Sequence, residues 1–158
     1  MRTRCALALL VMVAGCASRS SVRPPVDERA DVYAAVFRAL IKHNASAEMP
    51  NKKAIVLCLP GHVDPGSLFL SRFSTTSPPV LPCSSARTEG PMRESVLVTT
   101  GDPAIVFSVD AVETMSTTQA TVSGGYYEAN LSAAVYTFEL EKRKGAWVVV
   151  AQRMRAIA

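Results

Sequence analysis

The last third of the chain alternates. Ile105, Phe107, Val109 and Ala111 fall on one side of an extended segment, with Ser108 and Asp110 on the other. Ala120, Val122, Gly124 and Tyr126 likewise oppose Gln119, Thr121, Ser123 and Tyr127. A period of two marks strands with one buried face, and four are predicted over 104–113, 118–127, 131–142 and 146–156. Reading Arg143-Lys144-Gly145 as a three-residue hairpin loop with Gly145 left-handed sets a register. Leu140 then faces Val148, Phe138 faces Val150, Tyr136 faces Gln152 and Ala134 faces Met154. Thr137, Glu139, Glu141, Arg153 and Arg155 take the opposite face, with Trp147 and Val149 among them.

Upstream the period changes. Tyr33, Val36, Phe37 and Leu40 recur at helical spacing, widened by Val32 and Ile41, and predict an amphipathic helix over 27–43. Asp27 is its expected N-cap and Asn44 its left-handed stop. KAIVLCL, 53–59, is a short β-branched run and reads as a strand. Asp64-Pro65 is suited to open a short helix through Leu68, Leu70 and Phe73. Ser, Thr and Pro dominate 74–91, which reads as loop. The elements add up to an α+β fold: an N-terminal amphipathic helix packed on a curved antiparallel meander of about four to five strands.

The first residues follow another logic. Arg2 and Arg4 precede an apolar run from Ala6 to Val13, too short for the roughly 20 residues that cross a bilayer. A basic start, a short apolar stretch and small residues after it describe an export signal. Val13-Ala14-Gly15-Cys16 resembles the lipobox of bacterial lipoproteins. The resemblance implies cleavage before Cys16 and a diacylglycerol on its sulfur, so that the partner of residue 16 is the lipid bilayer. Ala17 in the following position implies the outer membrane, facing the periplasm. Residues 1–15 are then signal, 16–25 a lipidated tether rich in Ser, Arg and Pro, and 26–158 a single α+β domain.

Composition matters once the signal is subtracted. Loss of Arg2 and Arg4 lowers the formal net charge from +4 to +2, and aromatics make up only 6% of the chain. That is no footprint for nucleic acid. Cys58 and Cys83 remain as an even pair in an exported domain, and a disulfide is expected between them. His62 follows Cys58 closely, but Pro60-Gly61 is turn chemistry and holds no base against a thiol. His62 and Asp64 offer two metal ligands where a site needs three or four, so neither metal nor cofactor is expected.

The VYAAVFRALI helix, the glycine-broken ATVSGGYYEANL strand and the closing YTFELEKRKGAWVVV hairpin together resemble the cone-shaped nuclear transport factor 2 superfamily. That superfamily includes enzymes and non-catalytic binding modules, so the resemblance implies a pocket and no particular activity. Tyr126, Tyr136, Gln152, Thr118 and, at a strand end, Glu113 are the polar groups expected in such a pocket. Tyrosines and a glutamine orient a ligand but make a poor proton-transfer set, so no catalytic residue is assigned. The leading expectation is a binding or interaction module. A homodimer or an envelope protein would meet the outer sheet face at Trp147, Glu139 and Arg153. The alternatives are a small enzyme of isomerase or hydrolase type and a structural envelope lipoprotein.

Overall fold

The computed structural model describes residues 26–43 and 49–157. The predicted signal, Cys16 and the tether lie outside the described residues, as do Asn44 and the side chain of Asp27. Helix α1 spans Val26–His43. The strands are β1 (Ala54–Cys58), β2 (Val80–Pro82), β3 (Ala86–Glu89), β4 (Glu94–Leu97), β5 (Ala104–Met115), β6 (Gln119–Ala129), β7 (Ser132–Arg143) and β8 (Ala146–Ile157). A short helix α2, Ser67–Leu70, runs into a 3-10 turn at Ser71–Phe73. The fold is mixed α+β, with a six-stranded sheet in the order β2-β1-β5-β6-β7-β8 and a separate β3-β4 pair.

The helix covers one face of the sheet because its apolar stripe has nowhere else to go. Val32, Val36, Phe37 and Leu40 are buried against Ile105, Phe107, Val122, Phe138 and Leu140. Phe69 and Phe73 close the edge of this core, with ring centroids 6.0 and 6.4 Å from Phe37. The Lys142 ammonium donates to Glu28 Oε1 at 2.6 Å and seats the first turn of α1 on the end of β7.

The sheet holds more strands than the meander expected from sequence, and its first half is parallel: β1 runs parallel to both β2 and β5. All five residues of β1 are buried, so the strand has no polar face to alternate. Parallel strands covered on both faces read as continuous apolar runs. Ile55 and Leu57 face the helix core, whereas Ala54, Val56 and Cys58 lie under Leu97, Leu81, Cys83 and Ala86 on the other face. The stretch read as loop therefore contains β2 and β3, and β4 follows it. β2 is three residues long and β3, Ala-Arg-Thr-Glu, lacks apolar alternation, so neither carries a periodic signal. Cys58 and Cys83 are bonded as expected, 25 residues apart in sequence with Cα atoms at 4.6 Å. Closing a loop of that length is worth roughly 3.5 kcal/mol on chain entropy.

The final hairpin corrects the expected register. Its loop has two residues, Lys144 and Gly145, both at positive φ (50° and 84°), and Arg143 pairs with Ala146. That is the geometry whose twist matches flanking strands. Shortening the loop by one residue turns every side chain of the returning strand to the other face. Trp147 therefore stands on the core side beside Leu140 and Val149, 7% exposed, and not on the outer face. A register shift at Val150 then pairs Phe138 with Gln152 and Tyr136 with Met154, where Val150 and Gln152 were expected, and a second shift follows at Arg155.

Gly124 and Gly125 sit in register within β6, and the nearest irregularity lies opposite them, between Val109 and Ala111 of β5. They are needed for close backbone approach. A Cβ on Gly125 would stand 2.1 Å from the Ala134 carbonyl oxygen, and one on Gly124 2.5 Å from that of Ser108. Gly125→Ala is expected to destabilise the fold by about 2 kcal/mol or more, read as a lowered urea midpoint at constant m-value. Trp147→Ala should remove about 3 kcal/mol. Trp147→Phe should stay within about 1 kcal/mol, because the buried indole N–H has no hydrogen-bond partner among the described residues. Equal stability of Trp147→Ala and the parent in urea titration would contradict its core position.

Candidate functional site

The residues on either side of the Val150 register shift border an open cleft at the last turn of α1. His43, Tyr136, Val149, Val150, Ala151, Gln152 and Met154 line this cleft of about 550 Å³. A second cleft of about 260 Å³ shares His43 and Val149 with it and adds Arg38, Lys42, Trp147 and Val148 among others.

Of the pocket residues expected from sequence, the structure brings three near one another. Tyr136 and Gln152 share the larger cleft, and Tyr126 lies close enough to Tyr136 to act on its ionisation. Burial, and secondarily Tyr126, push the Tyr136 phenol above its ordinary value of 10.0, so it is a neutral hydroxyl throughout the physiological range. Glu113 is not with them. Register shifts between Val109 and Ala111 and between Val112 and Thr114 hand the inner positions of β5 to Val112 and Met115, leaving Glu113 exposed. Thr118 is exposed as well. On the outer face Arg153 pairs with Glu139 at 2.9 Å, both side chains largely in solvent. Such a pair contributes at most about 1 kcal/mol, and Trp147 is not part of that face.

Two features go beyond the sequence reading, the first unsignalled in it and the second weighed there only as a base beside Cys58 or a metal ligand with Asp64. Glu128 is 2% exposed near the end of β6, accepts from Ser132 Oγ at 2.6 Å and lies 4.0 Å from the Lys52 ammonium. With Lys52, Glu94 and Ser132 it lines a cleft of about 320 Å³. A glutamate just ahead of a tight turn reads as solvated, and only the packing of Lys52 against that end of the sheet says otherwise. The second feature is His62. Its imidazole and the sulfurs of Cys58 and Cys83 lie within 4.8 Å of one another, at the wall of a cleft of about 190 Å³ shared with Ala86, Arg87, Thr88, Ser95, Val106 and Tyr127.

The loop that carries His62 is built, not slack. Leu59 and Val63 exchange backbone hydrogen bonds at 2.9 and 3.2 Å, closing a turn in which Gly61 and His62 take φ of 79° and 58°. Asp64 does not cap α2, whose N-cap is Gly66 with no side-chain bond. Its carboxylate accepts from the backbone N–H of Ser84 at 2.7 Å and from Ser84 Oγ at 2.8 Å, tying the loop to the residue after Cys83. No protein-family model, curated protein or solved structure matches this chain.

The backbone bond from Ser84, and then its hydroxyl, hold the Asp64 carboxyl below its ordinary value of 3.8. A carboxyl depressed in the folded state contributes stability above its unfolded pKa and loses it as pH falls through the folded one. Asp64→Asn should therefore be less stable than the parent at pH 7, with the gap closing as pH drops below about 4. Paired thermal melts across that range check the sign, and a gap that widened in acid would reverse it.

Proposed function

We propose that the chain is an outer-membrane-anchored periplasmic lipoprotein whose domain is a binding module, and that its binding surface is the cleft between the end of α1 and strand β8. The observation that carries the reading is the composition of that cleft. It offers apolar walls from Val149, Val150 and Met154, a neutral Tyr136 hydroxyl and the Gln152 amide. Those groups grip and orient a partner, whereas acid-base chemistry needs groups poised to gain and lose protons near the working pH.

Strand β8 adds a second support. It is the edge of the six-stranded sheet, and Val148, Val150, Met154 and Ile157 along it are between 38% and 70% exposed. An unpaired edge offers a row of backbone donors and acceptors to which an extended segment adds as a further strand, with alternate side chains taken up by neighbouring pockets. The occupant fitting this surface is an extended segment of an envelope protein.

Location is supported by the lipobox-like start and by the Cys58–Cys83 disulfide, which belongs in an oxidising compartment. Among the described residues no helix is long and apolar enough to cross a membrane, and the anchor in this reading is the lipid on Cys16. The cone of nuclear transport factor 2 type is kept as part of the reading on the strength of α1 lying across β5, β6 and β8.

Three measurements test it. Mass spectrometry of the protein from its host should find Cys16 as the first residue, carrying diacylglycerol, and Cys16→Ser should move the protein into the soluble fraction. A photo-crosslinking side chain in place of Met154 should give a discrete protein adduct in the envelope, and the same group in place of Leu68, which is 82% exposed on α2 beside β2 at the other edge of the sheet, should not. An unmodified N-terminus would refute the anchor. Equal labelling from the two positions would refute the binding surface.

A further inference from the structure

Cys58, Cys83 and His62 bring together two kinds of metal ligand, and the surrounding structure holds them there. We propose that the disulfide is one of two states of a metal site: when it is reduced, the two thiolates and the His62 imidazole bind a single thiophilic divalent cation, Zn²⁺, with a water in the fourth position.

Geometry carries the inference. Ligand atoms on one tetrahedral zinc stand about 3.5–3.8 Å apart, given Zn–S of about 2.3 Å and Zn–N of about 2.0 Å. The three ligating atoms already lie within 4.8 Å of one another with the sulfurs bonded. Parting the sulfurs moves them towards the required spread. The imidazole does not have to be recruited. The Leu59–Val63 backbone pair fixes the base of its turn, and the Asp64–Ser84 hydrogen bonds fix the turn to the segment bearing Cys83.

The cleft supplies the remaining requirements. It opens beside the three ligands, with about 190 Å³ available for an ion and its water. Two thiolates and Zn²⁺ sum to zero charge, which suits walls that include Ala86 and Val106. Arg87, whose guanidinium is held by Glu89 and by the Val98 carbonyl, lines the same wall. Three protein ligands and an open position make a site with an exchangeable ligand, unlike a closed four-ligand structural site.

The chemistry balances with a dithiol reductant of the envelope. Its thiolate attacks the Sγ of Cys83, since Cys58 is only 2% exposed, and Cys58 leaves as the thiolate. The reductant's second thiol then attacks the mixed disulfide, releasing Cys83 and closing the reductant's own disulfide. Two electrons and two protons pass to the protein. Binding of Zn²⁺ forms two Zn–S bonds and one Zn–N bond and returns the two protons to solvent.

Cobalt is the probe. The full chain carrying Cys5→Ser and Cys16→Ser has only the two relevant sulfurs; it is reduced with a phosphine, desalted without oxygen and titrated with Co²⁺. One equivalent should produce a sulfur-to-cobalt charge-transfer absorption, absent from the oxidised chain and erased by Zn²⁺. His62→Asn, which tolerates the left-handed backbone, should weaken binding at least about 100-fold, more than loss of a group that merely supports a ligand. Cobalt binding no better than in the oxidised chain overturns the proposal, as does His62→Asn binding with parental affinity. If reduction alone unfolds the chain by circular dichroism, Zn²⁺ should restore the fold. Failure to restore it overturns the proposal too.

Discussion

The turn at Lys144-Gly145 controls more of this molecule than its length implies. Two residues at positive φ force Arg143 opposite Ala146, and every later pairing in the last hairpin is counted from there. With that count Trp147 enters the core, under Lys142, whose ammonium lies 5.8 Å over the indole ring and reaches Glu28. The first turn of α1, the rim of the sheet and the aromatic core are thereby coupled through one hairpin. Bulges in β8 then change the count again, which is why Gln152 and Met154 accompany Tyr136 at the last turn of the helix.

The sheet is unequally dressed, and the inequality separates stability from interaction. At β1 both faces are covered, by α1 on one side and by the β3-β4 pair on the other, and the Cys58–Cys83 bond ties the two layers. At β8 only the helix side is covered, and the outer edge has no neighbour in the sheet. Backbone groups deep in the β1 end are shielded from exchange with solvent; those along β8 are open to a further strand. A fold arranged in this way keeps its doubly covered part away from the surface proposed for a partner.

Polar chemistry follows the same partition. In the large cleft the buried hydroxyl of Tyr136 stays protonated, so what that surface offers is shape and hydrogen bonding. The metal-ligating and carboxylate groups lie elsewhere, at His62 beside the disulfide and at Glu128 beside Lys52. A contact distant in sequence bears on each, the Asp64–Ser84 tie at His62 and Lys52 at Glu128, the latter beside a local bond from Ser132. The carboxylate at Glu113, which the strand pattern points inward, ends in solvent because bulges intervene.

What the chain determined by itself is what local periodicity and pairing rules can express. Helix α1, the four long strands, the inward side of β6 and the Cys58–Cys83 bond follow from spacing at 3.6 or 2 residues and from an even count of cysteines. Periodicity names a face but not a neighbour. It is silent on β1 running parallel to β5 and on strands as short as β2, and it fails wherever a bulge resets the count. Those were decided in three dimensions, by which backbone hydrogen bonds could be satisfied together and which side chains could be packed without voids. Trp147 in the core, the cleft beside β8 and an imidazole set against two sulfurs are consequences of that joint solution, so no window of sequence contains them.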